Sequence, residues 1–309
     1  MTGDRSRVDV VDGPVEQVDR ADADTDAGED AETTASTDAS GRQDARSPDG
    51  VAGTGVDALA LKPAECDLAA ATATLRGSAV ETVVVDYEGR EHLPGAATLA
   101  ALADEFGVVA TTPVRADGFD PLGDDSLVRE WLPEEVGRAV VAGHPAYLSE
   151  RERTRAVAPR FGAALDRASD AWVGTESVER VALAAGGPQY ELLSRTTERD
   201  VRALRAAGLE DAVYLYAPVA VSEREDALLD AVGDYAARRR PVREALPEEA
   251  STDATATGRA REVLSAAVRD YALVGTRETV RERVRTLREA GVTRVVGYPA
   301  RGIETLLSG

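Results

Sequence analysis

The sequence predicts a (β/α)8 barrel, and three observations carry that prediction. Eight short apolar or β-branched runs alternate with helical stretches from Val56 onward, with little chain left over. That region runs to about 250 residues, the length such a barrel typically uses. An open doubly wound sheet could be assembled from the same parts, but no G-x-G-x-x-G follows the first or second run.

Residues 1–52 are mostly Asp, Ala, Thr, Ser, Gly and Glu, which cannot bury enough surface to offset chain entropy. They read as a disordered acidic tail, and 53–309 as the barrel. The first candidate strand is 56–61, followed by a helix over 67–75. A clearer second strand at 81–86 precedes a helix over 94–106 that Gly107 stops. The third strand, 108–112, runs into Pro113; a helix over 122–132 follows, and 137–143 is the fourth strand, leading into His144 and Pro145. Helix 150–166, strand 171–175 and helix 178–185 come next, the last closed by Gly186 and Gly187. Strand six is 190–194. Thr197 caps a helix ending at Gly208, strand seven is 212–217, and helix 223–239 leads into a polar loop.

A helix over 260–270 introduces the most legible segment. Thr276 can cap a helix whose Val280, Val284 and Leu287 repeat at the spacing of one buried face. Gly291 ends it, and 292–296 is a β-branched eighth strand running into Gly297, Tyr298 and Pro299.

Composition narrows the function. The net charge is −20, from 56 acidic against 36 basic residues, and Lys62 is the only lysine. Dense carboxylates with arginine in place of lysine keep a surface hydrated where salt competes for water, which points to a salt-adapted cytoplasm of the halophilic archaeal type. Such a surface repels phosphate, so nucleic acid is not an expected partner; the Arg238–Arg240 run reads as a helix end complementing its dipole. One cysteine, Cys66, and two histidines, His92 and His144, exclude an internal disulfide and a multi-histidine metal site. No apolar run reaches the roughly 18 residues of a membrane span, and no basic-then-apolar leader opens the chain, so a cytoplasmic location is expected.

The segment from Val274-Gly-Thr-Arg-Glu-Thr-Val280 through Ala290-Gly-Val-Thr-Arg-Val-Val-Gly-Tyr-Pro299 resembles the C-terminus of the bacterial luciferase-like superfamily, particularly archaeal F420-dependent methylenetetrahydromethanopterin reductases. Val85-Asp86-Tyr87 is similar to that family's Thr-Asp-His after the second strand, with Tyr87 standing in the histidine's place. Gly137-Arg-Ala-Val-Val-Ala-Gly-His-Pro145 resembles its fourth strand, and Val173-Gly174 falls where its fifth strand opens a glycine-rich loop. Glu176 replaces that loop's Gly-Pro.

The resemblance implies hydride transfer between a deazaflavin (F420) or a flavin such as FMN and a small organic substrate, at the C-terminal ends of the strands. It makes Asp86 and His144 the catalytic candidates and Thr111, Thr112, Gly143, Gly174 and Thr175 the cofactor-binding ones, with no metal. Gly174 and Thr175 would offer amides and a hydroxyl to a phosphate, the two threonines would flank the ring, and His92 could reach the same mouth. A homodimer is compatible with this reading. The alternative is a barrel of the same ancestry that has lost its cofactor and serves as a binding or structural protein. An unrelated barrel enzyme, such as an aldolase or a phosphate-sugar binder, is a third class; Lys62 beside Pro63 shows no desolvating pocket in the sequence, which argues against Schiff-base chemistry. Cys66 lacks the basic surroundings of a nucleophile. Tyr214 and Tyr216 share one face of strand seven and read as core packing, pointing into the barrel or into the helical layer.

Overall fold

The computed structural model describes residues 50–115, 132–141, 149–154, 156–174 and 184–308. Residues 1–49 of the expected acidic tail and 122–131 of the expected helix lie outside these residues, as does nearly all of the helix over 178–185. The strands are β1 (Ala58–Leu61), β2 (Thr82–Val85), β3 (Gly107–Pro113), β4 (Val136–Val141), β5 (Trp172–Gly174), β6 (Gln189–Leu192), β7 (Val213–Val221), β8 (Leu273–Gly275) and β9 (Arg294–Pro299). The described helices are α1 (Leu68–Leu75), α2 (Ala96–Ala103), α3 (Glu150–Arg153), α4 (Val157–Leu165), α5 (Thr197–Ala206), α6 (Glu225–Ala237), α7 (Arg240–Ala245), α8 (Gly258–Tyr271), α9 (Arg277–Ala290) and α10 (Ile303–Leu307).

β1 to β7 pair in sequence order, all parallel, and β9 closes the ring by pairing with both β7 and β1. Each of the eight strands expected from the sequence is in the barrel. β8 is an addition. The sequence ends the seventh strand at Ala217, before Pro218, whereas β7 continues to Val221. The carbonyl of Tyr216 accepts from β6's neighbour Leu193, while those of Val213 and Val219 accept from the β9 side. The N–H that Pro218 lacks would therefore face β6, which has already ended at Leu192. β8 takes the vacated place, pairing Leu273–Gly275 with Val219–Val221.

Alternation sorts the side chains into two cores. Leu59 and Leu61 of β1, Val83 and Val85 of β2, and Leu215 and Ala217 of β7 pack outward against the helices. Ala58, Ala60, Val84, Val109 and Ala139 point inward and meet Tyr190, Tyr216 and Val296, with Trp172 and Tyr214 packed beside them. The barrel interior is thus small-chained on β1–β4 and aromatic on β5–β7, so the large rings cross the axis into space that alanine leaves.

The α9–β9 unit shows how local sequence produces this. Thr276 Oγ1 accepts from the N–H of Thr279 at 3.1 Å, capping α9, and Val280, Val284, Leu287 and Ala290 form its buried face. Burying each of the larger three contributes about 1.5–3 kcal/mol. Gly291, at φ 116°, closes the helix in the left-handed region, and a Cβ there would also meet Arg205 Cγ at 2.8 Å. A second helical group, α6 to α8, packs around Leu229, Val232 and Leu264 together with Ala220, which shares a face of β7 with Tyr214 and Tyr216.

Candidate active site at the strand ends

The backbone N–H of Asp86 donates to the Leu61 carbonyl at 2.9 Å, so Asp86 extends β2 beside the end of β1. The next N–H, of Tyr87, donates to Thr111 Oγ1 at 2.6 Å and ties the end of β2 to β3. The Asp86 carboxyl is thereby held at the C-terminal end of the barrel, the end where such barrels place their chemistry. Tyr216, reaching across from β7, donates its hydroxyl to Asp86 Oδ2 at 3.2 Å.

Protein encloses this carboxyl, although the residue keeps some solvent contact. Burial pushes its pKa up to about 7, with Glu88 and Glu65 adding to the rise, while the Lys62 ammonium and the Tyr216 hydroxyl oppose it. Burial and the nearby Asp86 hold the Tyr190 and Tyr216 hydroxyls well above the usual tyrosine range. Tyr216 spends its hydroxyl on Asp86. Tyr190 does not: its hydroxyl is buried with no hydrogen-bond partner among the described residues. The rings interlock, with Trp172 4.2 Å from Tyr214 and 5.7 Å from Tyr190, and Tyr190 edge-on to Tyr216 at 6.2 Å.

Two further groups bound this region. Tyr235 of α6 lies near enough to Asp86, Tyr190 and Tyr216 for their charges to act on one another, and the Arg239 guanidinium stacks on its ring at 4.5 Å. Lys62, at the end of β1, donates to Glu65 at 3.2 Å and sits 4.1 Å from the centre of the Tyr298 ring, whose hydroxyl also bonds Glu65. A cleft of about 400 Å3 opens beside it. The sequence shows no pocket at this lysine; the fold makes one by bringing α1 and the end of β1 together with the end of β9 and α10.

The structure brings Asp86 and Thr111 together and separates Thr112 from them. Val109 and Thr111 share the inner face of β3, whereas Thr112 faces outward, fully buried, and receives Arg138 Nη1 at 3.4 Å. Gly174 ends β5 with no vacancy beside it: a Cβ would meet Val141 Cγ1 at 2.8 Å and the Tyr190 carbonyl at 3.2 Å. Gly143, His144 and Thr175 lie outside the described residues. His92 is exposed in a short turn, 3.9 Å from Glu91. Burial pushes the Cys66 thiol up, the direction opposite to activation. Sequence reasoning passed over Tyr190, set Lys62 aside and assigned Tyr216 to packing. The available signal was chemical: a tyrosine on an inward barrel face needs a partner for its hydroxyl.

A cofactor of the deazaflavin or flavin type has polar ring edges and a charged tail. The donor set here suits the ring end, since a carboxyl that is half protonated near neutrality and an unpartnered tyrosine hydroxyl both seek a polar partner.

The fold places the chain among parallel eight-stranded (β/α)8 barrels. An F420-dependent secondary alcohol dehydrogenase in complex with an F420-acetone adduct superposes with a TM-score of 0.53 at 13% identity, over 82% of this chain and 96% of that one. The apo form of MsnO8 gives a TM-score of 0.50 at 15% identity, over 82% and 95% of the two chains. At such identities the likeness is one of fold. The chain belongs to a family of unknown function (DUF7388), whose profile matches residues 51–306. No curated protein matches the sequence. Among the described residues no helix is long and apolar enough to cross a membrane.

Proposed function

We propose that this protein is a luciferase-like oxidoreductase that moves hydride between F420 or a flavin and a small organic substrate, with Asp86 as its acid-base group. The observation that carries the reading is the Asp86 carboxyl, pushed to about 7 at a strand end beside an unpartnered tyrosine hydroxyl. The fold likeness to an F420-dependent dehydrogenase supports it.

The cofactor, when bound, supplies or accepts the hydride. Reduction of a carbonyl also requires a proton at its oxygen, and an acid with a pKa near the working pH both holds that proton and releases it. Asp86 meets this condition. Once it is ionised, the Tyr216 hydroxyl bonded at 3.2 Å and the Lys62 ammonium stabilise the carboxylate. Thr111, which accepts from Tyr87, still has its own hydroxyl proton to donate. A purely structural barrel has little use for this arrangement, because a buried carboxyl and a hydroxyl without a partner cost stability.

The test is a fluorescence titration of the full chain with F420 and, separately, with FMN, followed by turnover of carbonyl substrates with whichever binds. Saturable binding that survives Asp86→Asn, with turnover reduced at least 100-fold and the pH dependence near 7 removed, is the expected result. No binding of either cofactor at tens of micromolar overturns the proposal.

A further inference from the structure

The cleft beside Lys62 has features that the barrel chemistry does not use. At about 400 Å3 it falls in the range of small-molecule sites, and Ala70, Ala71 and Ile303 give it an apolar wall. Its charged groups are of two kinds. Some are committed: Asp67 caps α1 by accepting from the Ala69 N–H at 2.8 Å, and Glu65 is held by Lys62 and the Tyr298 hydroxyl. Arg301 and Glu304 are not.

Arg301 Nη1 donates to the Val221 carbonyl at 3.0 Å and meets no carboxylate among the described residues; Glu304 has no side-chain partner among them. Arg301 precedes Gly302, the N-cap of α10, so helical spacing does not bring it onto Glu304. Beyond the one N–H spent on Val221, the exposed Arg301 guanidinium and the exposed Glu304 carboxylate meet no opposite charge among the described residues. One uncommitted cation, one uncommitted anion and an apolar wall complement a molecule carrying all three features.

We infer that this cleft binds a small zwitterion of the amino-acid type, with its carboxylate on Arg301, its ammonium on Glu304 and an apolar side chain against Ala70 and Ile303. A simple anion would leave Glu304 repelling it, and a simple cation would face Arg301 and Lys62. The zwitterion alone satisfies both ends. The site stands whether or not the barrel mouth carries redox chemistry.

Isothermal calorimetry of the full chain with leucine, N-acetylleucine and leucinamide tests this. Leucine is expected to saturate, and the two derivatives, each missing one charge, to bind at least tenfold more weakly. Arg301→Ala and Glu304→Gln should each cost leucine at least tenfold, while Ala70→Trp, an exposed helix position, should block binding with both charges intact; melting curves confirm that the variants fold. Absence of saturation by leucine at tens of millimolar overturns the inference. So does either derivative binding as tightly as leucine, or leucine binding unchanged by the charge variants.

Discussion

The α9–β9 unit and the Asp86 end of the barrel are joined through the same sheet and built under opposite rules. In the first, a threonine caps the helix, a glycine stops it, and Val280, Val284 and Leu287 are almost completely buried among apolar neighbours. Local preference and tertiary packing agree there. In the second, a carboxyl is held where burial raises its pKa, and a tyrosine hydroxyl is buried without a partner. Stability is concentrated in one region and spent in the other, a division expected where strain is kept for chemistry.

Mutations should therefore have opposite signs in the two regions. The largest effect is expected in α9, where Leu287→Ala removes a fully buried side chain and should lose about 2–5 kcal/mol by denaturant unfolding, at any pH. At the barrel mouth the sign reverses. The Asp86 pKa rises on folding from 3.8 to about 7, so the folded state binds the proton more tightly and stability falls as pH climbs through that window. Asp86→Asn should flatten this slope and leave the protein about 2–4 kcal/mol more stable above pH 7, the lower figure allowing for solvent that still reaches the residue. Unfolding curves at pH 4, 6 and 8 check it, and a wild-type stability that rises between pH 4 and 7 would contradict the assigned burial. The smallest expected effect is at Tyr190. Removing the unpartnered hydroxyl with Tyr190→Phe should gain about 1 kcal/mol, because no hydrogen bond is lost. A loss there would mean that the hydroxyl has a bound partner in solution.

Legibility follows the same division. The eight barrel strands could be read because each is a short apolar or β-branched run bounded by Gly, Pro or a capping residue. β8 could not, since its three residues form a strand only because β6 stops short of Pro218 and leaves an edge of β7 open. Asp86 was legible as a polar residue ending a strand, and Thr111 as one of two threonines near the end of the next. Thr112 read equally well in one dimension, but alternation along β3 turns it to the outer face, and no motif announces which of two adjacent threonines faces inward.

The sequence by itself determined the barrel, the order of its strands and the cap and stop of α9, because those depend on periodicity and on backbone preferences acting over a few residues. Only the tertiary structure decided that Tyr216, 130 positions away, would meet Asp86, and that Tyr190 would be left without a partner. It likewise decided that Lys62, which shows no pocket in the sequence, would line the cleft formed with Arg301 and Glu304. Closing the ring brings distant strand ends into contact, and burial there sets the proton affinity of a carboxyl that the linear chain leaves at its ordinary value.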